Sequence, residues 1–141
     1  MTEYTTTEIR NVAFVGHAGA GKTLLTEALA HNAGAITDKG SIEKGTTVTD
    51  FDDLEKKHQH SLTSSLAAFN HNGWQVNLID TPGYPDFIGS ALSVLPAVET
   101  VAIVINAQRG IESTARRMLE WARDQNQCRM VIINRIDAEE V

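Results

Sequence analysis

The sequence predicts an α/β sandwich built around a mostly parallel sheet. Three observations carry that expectation. Short apolar runs alternate with stretches of helical periodicity. Two of the runs flank an Asn-Gly turn, which makes that pair antiparallel. Motifs rich in Gly, Asp and Asn follow directly after the runs, where open parallel sheets bind ligands. A length of 141 residues suits one domain.

The Thr-rich residues 2–8 read as a polar lead-in. Val12-Ala-Phe-Val15 is apolar at every position, as a parallel strand covered on both faces must be, and it stops at Gly16. From Lys22 the pattern turns helical, with Leu25, Ala28 and Leu29 on one face and Gly34 as the C-terminal stop. Residues 35–61 have no clean period, and a connection of that length is usually functional or disordered. Leu62 to Asn70 and Trp74 to Asp80 read as the hairpin strands, turning at His71-Asn72-Gly73. A helix is expected from Asp86 to Leu95, ended by Pro96. Val101 to Ile105 is a further buried strand. Ile111, Ala115, Met118, Leu119 and Ala122 mark one helix face, and Met130 to Ile133 is the last strand. Trp74 and Trp121 read as packing residues, and Cys128 as a small, partly buried one.

Apolar residues make up 42% and charged residues 21%, which excludes wholesale disorder. Twelve Lys and Arg against eighteen Asp and Glu leave a net charge of −6. That balance argues against a basic, sequence-specific nucleic-acid binder in this stretch. A single cysteine excludes an internal disulfide. No apolar run approaches the ~20 residues that span a membrane, and the first ten residues hold no signal-peptide core. The expectation is a cytoplasmic chain without a membrane partner.

Gly16-His17-Ala18-Gly19-Ala20-Gly21-Lys22-Thr23 matches G-x-x-x-x-G-K-[ST], between a buried strand and a helix. Glycines there let backbone N–H groups turn inward around phosphate oxygens, and the following helix adds its positive end. Lys22 reaches the β- and γ-phosphates, and the Thr23 hydroxyl suits Mg²⁺. The fold class sharpens accordingly to a P-loop NTPase sandwich. Asp80-Thr-Pro-Gly83 follows a strand. Alone it is a turn with a capping Asp, but opposite a P-loop the carboxylate suits the Mg²⁺ shell. Gly83 would let a backbone N–H approach the γ-phosphate. Asn134-Arg135-Ile136-Asp137 follows the last strand. A carboxylate there can accept from both N1 and N2 of guanine, a donor pair adenine lacks; such sites discriminate by about 10⁴-fold.

These three ordered motifs resemble those of the translational GTPases, above all elongation factor G and its elongation-factor-G-like paralogues. The similarity runs from Arg10 to Asp137 and includes Gly34-Ala-Ile, Gly40 to Asp50, and Asp80 to Phe87. Ribosomal-protection proteins are similar in the same places. The resemblance implies that residues 1–141 are the N-terminal part of a GTP-binding domain, truncated before its last strand. It further implies switch I within 35–61, switch II within 80–95, GTP and GDP as ligands with Mg²⁺, and the ribosome as partner of the whole protein. A lost neighbouring strand would leave the last strand's edge open to self-association.

Against the family pattern, Tyr84 stands where a His usually positions the attacking water, and a Tyr is neutral at pH 7. Ala18 and Gly19 replace an apolar residue and an Asp. Gln59-His-Ser-Leu62 replaces Gly-Ile-Thr, making Ser61 the match for a Mg²⁺-binding Thr. Arg135 replaces a Lys whose stem packs along the base. His17 is as consistent with a helix-start contact as with catalysis, and His58 and His60 read as exposed rather than as metal ligands. The leading reading is a GTP-hydrolysing translation factor domain. A GTP-binding switch with little hydrolysis, a ribosomal-protection-type GTPase, and an unrelated P-loop ATPase or small-molecule kinase remain alternatives.

Overall fold

A computed structural model describes residues 3–42, 45–48 and 61–138. The elements follow in the order β1 (Ile9–Val15), α1 (Lys22–Asn32), β2 (Ser65–His71), β3 (Trp74–Asp80), α2 (Ile88–Val94), β4 (Thr100–Asn106), α3 (Ser113–Asp124) and β5 (Cys128–Asn134). The strands form one sheet ordered β2-β3-β1-β4-β5. β1 is parallel to β3 and β4, and β4 to β5, whereas β2 is antiparallel to β3. The predicted architecture, parallel with one antiparallel pair, is the observed one.

The side chains of β1 and β4 divide between two cores. Ala13, Val15, Val101 and Ile103 pack with Ala91 and Leu95 and with Ala115, Met118 and Ala122 of α3. Phe14, Ala102 and Val104 pack on the opposite face with Ala30 of α1, Phe69 and Leu78. Both faces are covered, so these strands are apolar throughout instead of alternating. Each fully buried Val, Leu, Ile or Met contributes about 1.5–3 kcal/mol. The hairpin turns at Asn72 (φ 48°) and Gly73 (φ 85°), the paired positive φ values that a two-residue type I′ turn requires.

Several local expectations change. β2 begins at Ser65 rather than Leu62, because its partner β3 ends at Asp80, opposite Ser65. The predicted helix 86–95 is split into a 3₁₀ turn (Pro85–Phe87), α2, and a second 3₁₀ turn (Leu95–Ala97). Pro85 and Pro96 sit in the first turns of the 3₁₀ segments, where a missing N–H costs nothing, and the α-helical stretch ends at Val94, before Pro96 as expected. The buried residues of α1 are Lys22, Thr26, Glu27 and Ala30, while Leu29 of the predicted face is 37% exposed. Ile111 precedes α3 and is exposed; Ala115, Met118 and Ala122 are buried as expected. Cys128 is exposed at the start of β5. Trp121 packs against the core, but Trp74 is half-exposed under the Arg10 guanidinium, 4.0 Å from its ring centre. Among the described residues, no helix is long and apolar enough to cross a membrane.

Candidate functional site

Parallel pairing brings the carboxyl ends of β1, β3, β4 and β5 to one side of the sheet. Phe14 is in register with Asp80, and Asn106 with Asn134. The residues after these ends are the three motifs, so segments far apart in sequence meet there.

The loop from Gly16 to Gly21 takes its shape from three glycines with φ of 142°, 79° and 87° at positions 16, 19 and 21. The first and last are also close approaches. A Cβ at Gly16 would overlap the Val104 carbonyl, and one at Gly21 would lie 2.5 Å from Asn134 Nδ2. Lys22 is buried, and its ammonium donates to the Gly16 and His17 carbonyls at 3.0 and 3.1 Å. Burial pushes its pKa down, while the nearby Asp80 charge pulls it back up. The Thr23 hydroxyl donates to Asp80 Oδ2 at 2.5 Å and lies 3.5 Å from Ser61 Oγ. Asp80 is fully buried.

Gly83 sits directly over the loop. Its carbonyl accepts the Ala18 N–H at 3.1 Å, and a Cβ on it would come within 2.5 Å of Ala18 N and Lys22 Nζ. The Gly83 carbonyl thus already engages the Ala18 N–H of the loop. Tyr84, 41% exposed, follows at the head of the first 3₁₀ turn. A cavity of about 260 Å³ is lined by Ala18, Gly19, Gly21, Lys22, Thr23, Ser61, Gly83, Tyr84 and Arg135, among others. A second, of about 420 Å³, is lined by Gly21, Leu24, Leu25, Ala28, Asn134, Arg135, Asp137 and Ala138. Gly21, Leu24 and Arg135 border both, so the two cavities adjoin.

Asn134 Nδ2 donates to the Ala20 carbonyl at 2.9 Å, tying the end of β5 to the loop before α1. Arg135 has a φ of 58°, uncommon for a side chain of its size, and it lines both cavities. His17 lines neither cavity. Its Nδ1 lies 3.2 Å from Glu112 Oε2 and 2.7 Å from the Ala18 carbonyl; two acceptors on one ring nitrogen place a proton there. That favours the structural contact over the catalytic one. His58 and His60 lie outside the described residues, among which no cluster of three metal-ligating side chains occurs.

Two residues escaped the sequence reading. Thr81 is buried, and both its hydroxyl (2.7 Å) and its N–H (3.3 Å) donate to the Phe14 carbonyl, locking the turn after β3 onto β1. Its place inside Asp80-Thr-Pro-Gly83 was the available signal. Glu27 is buried in mid-α1 and accepts backbone N–H groups from the connection after the helix. Nothing in its local sequence marks it.

Residues 7–140 match the family described as the elongation factor Tu GTP binding domain. The chain is 38% identical over 129 residues to the elongation factor G-like protein of Mycobacterium tuberculosis, covering 92% of this chain and 18% of the relative. It is 35% identical over 130 residues to the tetracycline resistance protein TetW of Butyrivibrio fibrisolvens, covering 92% and 20%. The chain thus spans about a fifth of the length of these curated relatives. A crystal structure of a Thermus thermophilus protein superposes with a TM-score of 0.86 at 38% identity, over 89% of this chain and 19% of that one. A bacterial selenocysteine-specific elongation factor shares the fold, with a TM-score of 0.72 at 21% identity over 93% and 21% of the two chains. With its phosphate-type loop, buried Asp80 and Asn134-to-Asp137 segment assembled on one side of the sheet, the chain belongs to the elongation factor Tu GTP binding domain family.

Proposed function

We propose that this chain binds GTP and GDP with Mg²⁺ and hydrolyses GTP, as the nucleotide-handling part of an elongation-factor-G-like protein that acts with the ribosome during elongation in the cytoplasm. One observation carries the reading: two adjoining cavities, the phosphate loop in one and Asn134, Arg135 and Asp137 in the other. In this reading residues 1–141 are the N-terminal part of the domain, 35–61 include switch I and 80–95 include switch II.

The backbone N–H groups of residues 17–23 hold the phosphates, with Lys22 supplying positive charge to the transferring group. Asp137 accepts from guanine, and the Arg135 stem flanks the base. The donor set fits Mg²⁺: the Thr23 and Ser61 hydroxyls and the Asp80 carboxylate are hard oxygens gathered within hydrogen-bonding reach of Thr23 Oγ1. The ion, when bound, neutralises charge on the β- and γ-phosphate oxygens. Hydrolysis then requires an oriented water. Tyr84 borders the phosphate-side cavity but brings a phenol where the family usually has an imidazole, which favours a second reading: a GTP-binding switch that hydrolyses slowly.

Competition between GTP and ATP for a fluorescent guanosine nucleotide tests the main reading. GTP should win by orders of magnitude, and Asp137→Asn should shift preference to xanthine nucleotides, whose 2-carbonyl meets the Asn amide. Equal competition by ATP would overturn it.

A further inference from the structure

Glu27 is an unexpected residue to find inside. Its side chain is 1% exposed, on the helix that begins with Lys22 and Thr23. Oε2 accepts the Gly40 N–H at 2.8 Å, and Oε1 accepts the Val48 N–H. Both partners are neutral backbone groups from the connection after α1. The described stretches 40–42 and 45–48 also bond to each other: the Thr46 N–H donates to the Ser41 carbonyl at 3.1 Å, and the Ser41 N–H donates to Thr46 Oγ1 at 3.0 Å. The closure is tight: a Cβ at Gly40 would lie 2.5 Å from the Thr46 carbonyl oxygen and from Thr47 Cα. Ile42, inside the same loop, lines the phosphate-side cavity beside Lys22, Thr23 and Ser61.

A buried carboxylate carries a desolvation cost that an apolar side chain of similar volume avoids. What the carboxylate adds is placement. Two charge-assisted bonds to two particular N–H groups accept only one register of the loop on the helix. An apolar side chain would fill the space and leave the loop free to slide.

We propose that Glu27 is a positioning residue: its carboxylate pins Gly40 and Val48 to α1 and thereby holds Ile42 against the nucleotide cavity. This rests on the guanine-nucleotide reading above and assigns that site a specific restraint. Freeing the loop opens one wall of the cavity and speeds nucleotide release.

Two measurements on the purified protein test it: stopped-flow release of a fluorescent GDP, and trypsin cleavage after Lys39 without nucleotide. Lys39 is exposed and immediately precedes Gly40. Glu27→Gln turns one acceptor into an amide NH₂ facing a backbone N–H, so release and cleavage should each accelerate about 10-fold. Val48→Pro removes one donor while leaving α1 unaltered, and it should act in the same direction even if Glu27→Gln folds poorly. The double variant should be no faster than the faster single variant, since both break one interaction. Wild-type rates in both single variants, or fully additive effects, would overturn the proposal. A lowered thermal midpoint with unchanged release and cleavage would also overturn it, because that is the signature of a merely structural carboxylate. If the wild-type protein bound no guanine nucleotide, the functional reading would fall, while cleavage after Lys39 would still decide whether Glu27 pins the loop.

Discussion

Asn134→Ala would remove the side chain that joins the two halves of the site. The Asn134 amide donates to the Ala20 carbonyl at 2.9 Å across 114 residues of sequence. Ala20 is 1% exposed, so water cannot readily replace the lost donor. Removing one partner of a shielded pair costs about 1–3 kcal/mol, which is about 5- to 150-fold in an equilibrium constant. The cost divides between two measurable quantities. Whatever the bond contributes to the nucleotide-free fold appears as a lower unfolding free energy. Whatever it contributes to holding residues 16–21 around phosphate appears as weaker binding. Urea unfolding without nucleotide measures the first, and titration with fluorescent GDP measures the second; together they should reach at least ~1 kcal/mol. GDP and GTP should be weakened alike, because in the proposed reading the loop that holds Ala20 meets the phosphates that both nucleotides carry. If stability and affinity both stay within ~0.3 kcal/mol of wild type, the bond is not what couples the base side of the site to the phosphate side.

Other expectations follow from the same geometry. Tyr84→His should raise single-turnover GTP hydrolysis by ~10²–10⁴-fold if a water-positioning group is what the site lacks, while Tyr84→Phe should change little; loss of activity in Tyr84→Phe would make the phenol catalytic. Gly83→Ala should weaken nucleotide binding by about 5- to 150-fold with the fold retained, since its Cβ would press within 2.5 Å of Lys22 Nζ and Ala18 N; unchanged binding in a titration would contradict this. The Glu99 carboxyl is pushed up by partial burial but held below its ordinary 4.5 by the Asn11 backbone and side-chain N–H groups, its own N–H and the Arg10 charge. A lowered folded-state pKa gives stability that is present above 4.5 and lost as pH falls below it. Unfolding midpoints measured below pH 5 should therefore fall less steeply in Glu99→Gln than in wild type.

Much of this protein is written locally. Val12 to Val15 and Val101 to Ile105 are apolar without alternation because each strand has a covered face on both sides, and that pattern alone announced a parallel sheet. Asn72-Gly73 announced the antiparallel pair through the positive φ values it tolerates. The glycine spacing from Gly16 to Gly21, with Lys22 and Thr23 after it, is legible as a phosphate-loop pattern for the same reason: backbone conformation is a short-range property. What the residues could not disclose depends on contacts between distant segments. Asp137 and Asn134 are legible as a turn, but their value comes from β5 lying beside β4, which brings Asn134 to Ala20. The burial of α1 was misread because a helix face is chosen by what packs on it. Lys22 and Glu27 turn inward because the loop after β1 and residues Gly40 and Val48 offer them hydrogen-bond partners, and buried Thr26 donates to the Lys22 carbonyl of its own helix, while Leu24 and Leu29 remain 44% and 37% exposed. A glutamate in mid-helix reads as solvated until tertiary structure delivers two N–H groups from residues 13 and 21 positions further along the chain. Sequence determines which chemical groups are present; packing determines which of them face one another, because hydrogen bonds and burial act at distances the chain order does not record.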